Sequence, residues 1–60
     1  MTKIKQIRLR KNMKAAEVAK KLNLTRAAIT EIERQGIRQI AAAKRYAVIL
    51  QCRPEELLEF

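Results

Sequence analysis

The sequence predicts an all-α fold of five short helices in a single domain that spans residues 1–60. A single Gly and a single Pro interrupt the chain, helix-favouring residues such as Ala, Leu, Lys, Arg, Glu and Gln dominate it, and apolar residues recur three and four positions apart. Sixty residues lie near the lower size limit for a domain with its own core. The helices therefore have to pack efficiently.

The first two helices are predicted over residues 3–11 and 15–22. Asn12 and Asn23 follow them, and Asn tolerates the left-handed backbone conformation in which many helices end. The residues spaced for burial in these two helices are Ile4, Ile7, Val18, Ala19 and Leu22.

A third helix is predicted over residues 26–35 and a fourth over residues 39–50. Thr25 is the expected N-cap of the third helix, because its hydroxyl can accept a hydrogen bond from the first turn. Gly36 is expected to end the same helix. The residues spaced for burial in these two helices are Ile29, Ile32, Ile40, Ala43, Tyr46, Ala47 and Leu50.

A fifth helix is expected to begin at "RPEE", where Pro54 suits the first helical position and the two carboxylates suit the positive end of the helix dipole. It would carry Leu57, Leu58 and Phe60. These apolar residues exceed what a terminal turn needs for its own burial, so we expect them to form a dimer interface. The alternative is that they complete the core of the monomer.

The chain is strongly basic, and its charges are unevenly distributed. It carries 14 Lys and Arg residues against 6 Asp and Glu, a net charge of +8 at pH 7. Glu55, Glu56 and Glu59 lie at the C-terminal end, so residues 1–53 carry a net charge of +11. This distribution indicates an anionic polymer as partner, and the alternative is a solvated basic surface.

Several kinds of function find no support in the sequence. Without His, a phosphate-binding Gly-rich loop or convergent carboxylates, we expect no enzyme, no metal, no other cofactor and no small-molecule ligand. Cys52 has apolar neighbours and is expected to be a buried thiol rather than a reactive one. The chain has no apolar run of about 20 residues and no signal-peptide pattern, so a cytoplasmic location is expected.

The second and third predicted helices have the spacing of a helix-turn-helix motif over about residues 15–35. The three residues "NLT" separate them. The motif requires a small residue where the helices cross, a residue that tolerates positive φ in the turn, and a branched apolar residue in the second helix. Ala19, Asn23 and Ile29 meet these requirements.

On these residues the chain resembles the Cro/C1-type helix-turn-helix family of phage-repressor-like (XRE) proteins. "AAEVAKKLNLTRAAITEIER" is similar to the family's central motif, "IKQIRLRKNM" to its first helix, and "AAAKRYAVILQCRPEELLEF" to its last two helices. The resemblance covers nearly the whole chain and implies a compact five-helix, lambda-repressor-like domain. The chain departs from the family pattern at residues 35–39, where Gln35 precedes Gly36 and the following loop is short.

The resemblance implies that the helix over residues 26–35 enters the major groove of double-stranded DNA, with its N-terminal residues facing the bases. The positions carried over as base contacts are Thr25, Arg26, Ala27 and Thr30, with Arg34 further along the helix. Arg26 is the strongest candidate, because a guanidinium can donate two hydrogen bonds to guanine. Its alternative is a solvated or phosphate-bound arginine. Glu31 either accepts from a cytosine amine or only adjusts the surface charge.

Helix N-termini and basic side chains are the candidates for contacts with DNA phosphate groups. These candidates are Arg10, Lys14, Ala15, Arg34, Arg38 and Gln39. The resemblance also implies a structural ion pair between Arg8 and Glu33, which would tie the first helix to the end of the third. Direct contact of either residue with DNA is the alternative.

Members of the family are usually DNA-binding transcription regulators, often dimeric, from bacteria, phages and plasmids. The resemblance therefore implies a sequence-specific, repressor-like regulator that binds a palindromic operator as a homodimer, in the cytoplasm and associated with the nucleoid. The alternative is an antitoxin-like or regulator-binding protein-interaction module on the same fold, for which DNA binding is secondary. A steep salt dependence of DNA binding favours the first interpretation.

Overall fold

The computed structural model describes residues 1–59, which form four α-helices followed by a 3₁₀ turn. The elements are α1 (Lys3–Arg10), α2 (Ala15–Leu22), α3 (Arg26–Gln35), α4 (Ile40–Leu50) and the 3₁₀ turn Pro54–Glu56. The Cα atoms have a radius of gyration of 10.0 Å and extents of 25 × 21 × 20 Å. The all-α prediction is confirmed for the described part of the chain.

The helix boundaries follow the residues that can end or begin a helix. α2 and α3 span the predicted residues, whereas α1 ends at Arg10 and α4 begins at Ile40, each one residue inside the predicted range. Gln39 is the N-cap of α4. Asn12 and Asn23 both have a φ of 57°, so the left-handed conformation predicted for them is confirmed.

The turn between α2 and α3 is held by hydrogen bonds at both of its ends. The backbone N–H of Leu24 donates to the Ala19 carbonyl at 2.8 Å and closes the C-terminus of α2. The Thr25 hydroxyl accepts from the backbone N–H of Ala28 at 3.1 Å, which confirms Thr25 as the N-cap of α3. These bonds set the angle at which α3 leaves the turn.

The core is shared by all four helices and the C-terminal segment. Its buried apolar residues are Ile4, Ile7, Val18, Ala19, Ile29, Ile37, Ala43, Tyr46, Ala47, Leu50, Leu57 and Leu58. The predicted burial of Ile40 is wrong, since this residue is 59 % exposed. It lies one turn before the exposed Lys44, on the face of α4 that points away from the core.

The predicted fifth helix is wrong. Pro54–Glu56 form a single 3₁₀ turn, and the chain then extends so that Leu58 makes an isolated parallel bridge with Ile37. The backbone N–H of Glu59 donates to the Ile37 carbonyl at 2.7 Å. So short a segment cannot offset the cost of starting a helix, whereas the bridge satisfies its backbone groups directly.

The extended conformation places both leucines of this segment inside the domain. Leu57 and Leu58 are 0 % and 6 % exposed, so neither side chain presents an apolar surface to a second copy. Their expected role in a dimer interface is corrected to the alternative, which was completion of the monomer core. Phe60, the third residue of that expected interface, lies outside the described residues.

The segment over residues 36–39, which falls in the part of the chain that departs from the family pattern, connects α3 to α4 through a glycine with a backbone conformation that other residues rarely adopt. Gly36 has a φ of +87°, and a Cβ atom added to it would lie 2.6 Å from Cγ of Glu59. Oε1 of the same glutamate accepts from the backbone N–H of Lys3 at 2.6 Å. The end of the chain therefore passes directly over the glycine and reaches the start of α1.

Candidate nucleic-acid interface

A buried ion pair fixes the end of α3 against α1. Nε and Nη2 of Arg8 donate to the two carboxylate oxygens of Glu33, the second bond measuring 3.0 Å. Nη1 of Arg8 donates to the Met13 carbonyl at 2.8 Å, and the Thr2 hydroxyl donates to the Glu33 carbonyl. Because both charges are paired in several directions, the pair orients α3 without leaving a buried charge unsatisfied.

The opposite face of α3 is free of the core. Ile29 and Glu33 are its buried residues, and Ala28 and Ile32 are half-buried. The exposed residues of the helix are Arg26, Ala27, Thr30, Glu31, Arg34 and Gln35, and the capping Thr25 is also exposed. All four residues expected to contact bases therefore lie on the solvent side, at or near the N-terminal end of the helix.

Thr25 and Thr30 each make one hydrogen bond to the backbone of α3, and each hydroxyl can still make another. The Thr25 oxygen already accepts from Ala28, so its own proton is free to donate. The Thr30 hydroxyl donates to the Arg26 carbonyl at 3.1 Å, so its oxygen is free to accept. The first suits an acceptor such as a phosphate or carbonyl oxygen, and the second suits an amino group.

The Glu31 carboxylate is hydrogen-bonded to two other exposed side chains of α3. Its carboxylate accepts from the Arg34 guanidinium at 2.5 and 3.2 Å and from the Gln35 amide at 2.7 Å. The hydrogen bonds from Arg34 and then Gln35 lower the pKa of Glu31, and the bond to Glu31 raises the pKa of Arg34. This cluster was not predicted from the sequence, although residues at i, i+3 and i, i+4 on a helix are neighbours and such spacings indicate pairing.

The N-terminus of α2 has a cap that the sequence analysis also missed. The backbone N–H of Lys14 donates to Oε1 of Glu17 at 3.1 Å, so this carboxylate occupies the first turn. Lys14 is exposed and Ala15 is half-buried beside it. An incoming phosphate would meet the lysine charge and the helix dipole, but also the Glu17 carboxylate. A Glu three residues after the expected N-cap was the available signal.

The N-terminus of α4 is more favourable to an anion. Among the described residues no side chain caps it, and its first turn contains no acid. Arg38 and Gln39 are exposed immediately before it and line a groove that also includes Gln35 and Gly36. Free backbone N–H groups, the positive end of the helix dipole and a guanidinium thus lie close together. Arg10 is exposed at the end of α1, on a different helix.

The single cysteine of the chain, Cys52, follows α4. It is half-buried, and burial, followed by the nearby Glu56 charge, raises the pKa of its thiol. The thiol is therefore protonated at neutral pH. None of the helices within residues 1–59 is long and apolar enough to cross a membrane.

Two short helices joined by a three-residue turn, the second of them exposed along one face, define a helix-turn-helix domain. A family model described as helix-turn-helix matches residues 4–57, and the chain belongs to this Cro/C1-type (XRE) family. No curated protein and no solved structure matches the chain. The protein is a DNA-binding helix-turn-helix regulator.

Proposed function

We propose that the protein is a sequence-specific, repressor-like transcription regulator that binds double-stranded DNA with α3 in the major groove. The observation that carries the proposal is the exposed face of α3, which has small and polar residues at its N-terminal end and a buried ion pair behind it. The basic body, with a net charge of +11 over residues 1–53, supplies the attraction to phosphates.

The base contacts are assigned to the front of α3. Arg26 reads guanine through two hydrogen bonds, since its guanidinium is exposed and has no ion-pair partner among residues 1–59. The Ala27 methyl group meets a thymine methyl group. Thr25 donates and Thr30 accepts, in keeping with the hydrogen-bonding capacity that each has left.

The phosphate contacts are assigned to the edges of this surface. Arg38 and Gln39 hold one phosphate group at the uncapped N-terminus of α4. Lys14 and Ala15 hold another at the N-terminus of α2, and Arg10 adds charge from the end of α1. Because these contacts carry no sequence information, they add affinity on any duplex.

A single α3 can contact few base pairs, so we propose that two copies bind half-sites about one helical turn apart. Leu57 and Leu58 are buried in the monomer, so the copies have to meet through other surface residues. The proposed place of action is the cytoplasm, on the nucleoid. No catalytic step, cofactor or metal is part of the proposal.

Selection of bound sites from random duplex DNA tests the proposal. The wild-type protein is expected to enrich a palindromic site, and Arg26→Ala is expected to weaken binding to that site about tenfold more than binding to random DNA. Arg53→Ala is the matched control, because Arg53 is exposed, directly precedes the 3₁₀ turn and has no assigned DNA contact. An equal loss for Arg26→Ala on both DNAs would contradict the base-reading role.

A further inference from the structure

Glu31 and Arg34 are paired side-on, and this geometry determines which donors of the guanidinium remain. Nε of Arg34 donates to one carboxylate oxygen at 3.2 Å, and Nη2 donates to the other at 2.5 Å. A guanidinium has five N–H donors in a rigid plane, so two of them are used here. The end-on edge, formed by Nη1 and the second hydrogen of Nη2, is left as a two-donor fork.

That remaining fork matches a base edge in the major groove. Guanine presents two acceptors there, N7 and O6, and the bidentate contact of Arg with these two atoms is the commonest specific contact in protein–DNA complexes. A phosphate group can accept the same fork, but it is also held by the simple charge of a lysine, whereas the bidentate guanine contact requires the fork. Because Glu31 holds one edge of the guanidinium, the direction of the other edge is fixed as well, which favours a contact of defined geometry such as the one to guanine.

The guanidinium also lies where a base can reach it. The Arg34 side chain is 68 % exposed, and long helical side chains lean toward the N-terminus of their helix, which brings the group back over the preceding turn. Seven residues earlier on the same face is Ala27, whose side chain is a single methyl group. Thr30 and Glu31 lie between them on this face, and the small side chains of Ala27 and Thr30 leave room for the edge of a base pair next to the guanidinium.

Glu31 places a negative charge on the face of α3 that is proposed to meet DNA. It is the one exposed carboxylate of α3, on a chain whose first 53 residues carry a net charge of +11. Facing DNA, a carboxylate is repelled by phosphates and lowers affinity for every sequence. Gln35 donates to the same carboxylate at 2.7 Å and holds it in place from the next turn.

We infer that Glu31 and Arg34 form a second base-reading unit, in which Glu31 is the positioning residue and Arg34 reads a guanine. This inference rests on the proposed function and replaces the phosphate contact expected for Arg34. Glu31 then acts on the guanidinium rather than on a base, since Arg34 and Gln35 fill three of the roughly four acceptor positions of its carboxylate.

The test compares four proteins in selection from random duplex DNA and in titrations with the selected site. They are the wild type, Glu31→Ala, Arg34→Lys and the matched control Glu55→Ala, which removes an exposed charge in the 3₁₀ turn rather than in α3. All three substituted positions are exposed, and thermal unfolding monitored by circular dichroism tests whether each variant is folded. A second titration uses the same duplex with each guanine replaced in turn.

The wild type and Glu55→Ala are expected to prefer guanine at one position that depends on Arg34. Arg34→Lys keeps the charge but lacks the fork, so it is expected to lose that preference about tenfold while its affinity for random DNA stays unchanged. Glu31→Ala is expected to lose the same preference and to bind random DNA more tightly than the wild type, as Glu55→Ala does to a smaller extent.

Two results overturn the inference in different ways. If the wild type selects a site and both α3 variants keep all its guanine preferences, Arg34 contacts only phosphate and the inference fails while the proposed function stands. If the wild type enriches no site at all, the proposed function fails, and the inference fails with it.

Discussion

Arg8 and Glu33 are charged residues enclosed by an apolar core, and the ion pair between them is the main polar contact behind α3. Only 9 % of Arg8 and 7 % of Glu33 is exposed. Removing one partner leaves the other buried without a counter-charge, which costs about 3–5 kcal/mol in other proteins. In a domain of 60 residues such a loss is a large part of the total stability.

Glu33→Ala is therefore expected to lower the free energy of unfolding by about 3–5 kcal/mol and to leave much of the protein unfolded at 37 °C. Urea unfolding followed by circular dichroism measures this. Glu31→Ala is the control, because it breaks an exposed ion pair on the same helix and should leave the midpoint nearly unchanged. A similar loss for both variants would show that Glu33 contributes no more than a surface charge.

Tyr46 carries a hydroxyl group that the fold buries without a hydrogen-bond partner among residues 1–59. Burial of an unpaired polar group costs about 1–3 kcal/mol. Tyr46→Phe removes the hydroxyl and keeps the ring in the core, so it is expected to raise the free energy of unfolding by roughly 1 kcal/mol. Thermal unfolding near neutral pH measures the change, and a lower midpoint would indicate that the hydroxyl has a stabilising partner.

The same substitution affects stability at alkaline pH. Burial raises the pKa of Tyr46 above its ordinary value of 10.0, and it raises the pKa of Cys52 above 9.0. A raised pKa means that the protonated form is favoured in the folded state, so this stability is complete below the unfolded pKa and is lost as the pH rises through the folded pKa. We expect unfolding midpoints to fall above about pH 9, and to fall less steeply in Tyr46→Phe.

At the scale of elements, Gly36 decides how α3 connects to α4. Its φ of +87° and ψ of 169° belong to a region that is almost closed to other residues. Gly36→Ala also places a Cβ atom 2.6 Å from Cγ of Glu59. We expect this variant to lose about 1–3 kcal/mol of stability, measured by urea unfolding.

The same substitution in the Glu59→Ala variant separates the cost of the backbone conformation from the cost of the steric contact. In Gly36→Ala combined with Glu59→Ala the steric contact with Cγ is removed, whereas the backbone conformation is unchanged. If most of the loss persists in the double variant, the cost is conformational, and full recovery relative to Glu59→Ala would assign it to the contact. An unchanged midpoint in Gly36→Ala alone would contradict both explanations.

The helices could be predicted wherever a residue with a clear preference for beginning or ending a helix marks the boundary. α2 and α3 have the predicted boundaries because Asn23, Thr25 and Gly36 stop or start a helix through their own backbone preferences or hydrogen bonds. The segment after α4 was predicted as a helix from Pro54 and the following acids, which are equally compatible with a 3₁₀ turn. The outcome depended on Ile37, which offered a backbone partner 21 residues earlier in the chain.

At the scale of the whole molecule, charge sets how binding responds to salt. Neutralising several phosphates releases counterions, and the slope of log K against log salt concentration is about −0.9 for each phosphate neutralised. Arg38→Ala is expected to make this slope shallower by about one unit on specific and random DNA alike. Arg53→Ala removes the same charge away from the interface and should leave the slope nearly unchanged.

The salt titration also bears on the alternative function. A protein-interaction module for which DNA binding is secondary would show weak binding and no difference between the two arginine variants. A steep slope in the wild type that depends on Arg38 is the result expected of a DNA-binding surface. An equal change in both variants would place the contact elsewhere on the molecule.

The sequence by itself determined the class of fold and the helix-turn-helix, because helix caps, apolar spacing and net charge are local or additive properties. The candidate base-reading residues followed from the resemblance to the family. The tertiary structure decided the rest. Leu57 and Leu58 are core residues because the chain returns past Ile37, and Glu31 is already bound to Arg34 and Gln35. Burial and pairing depend on which groups the fold brings together, and spacing along the chain does not specify those neighbours.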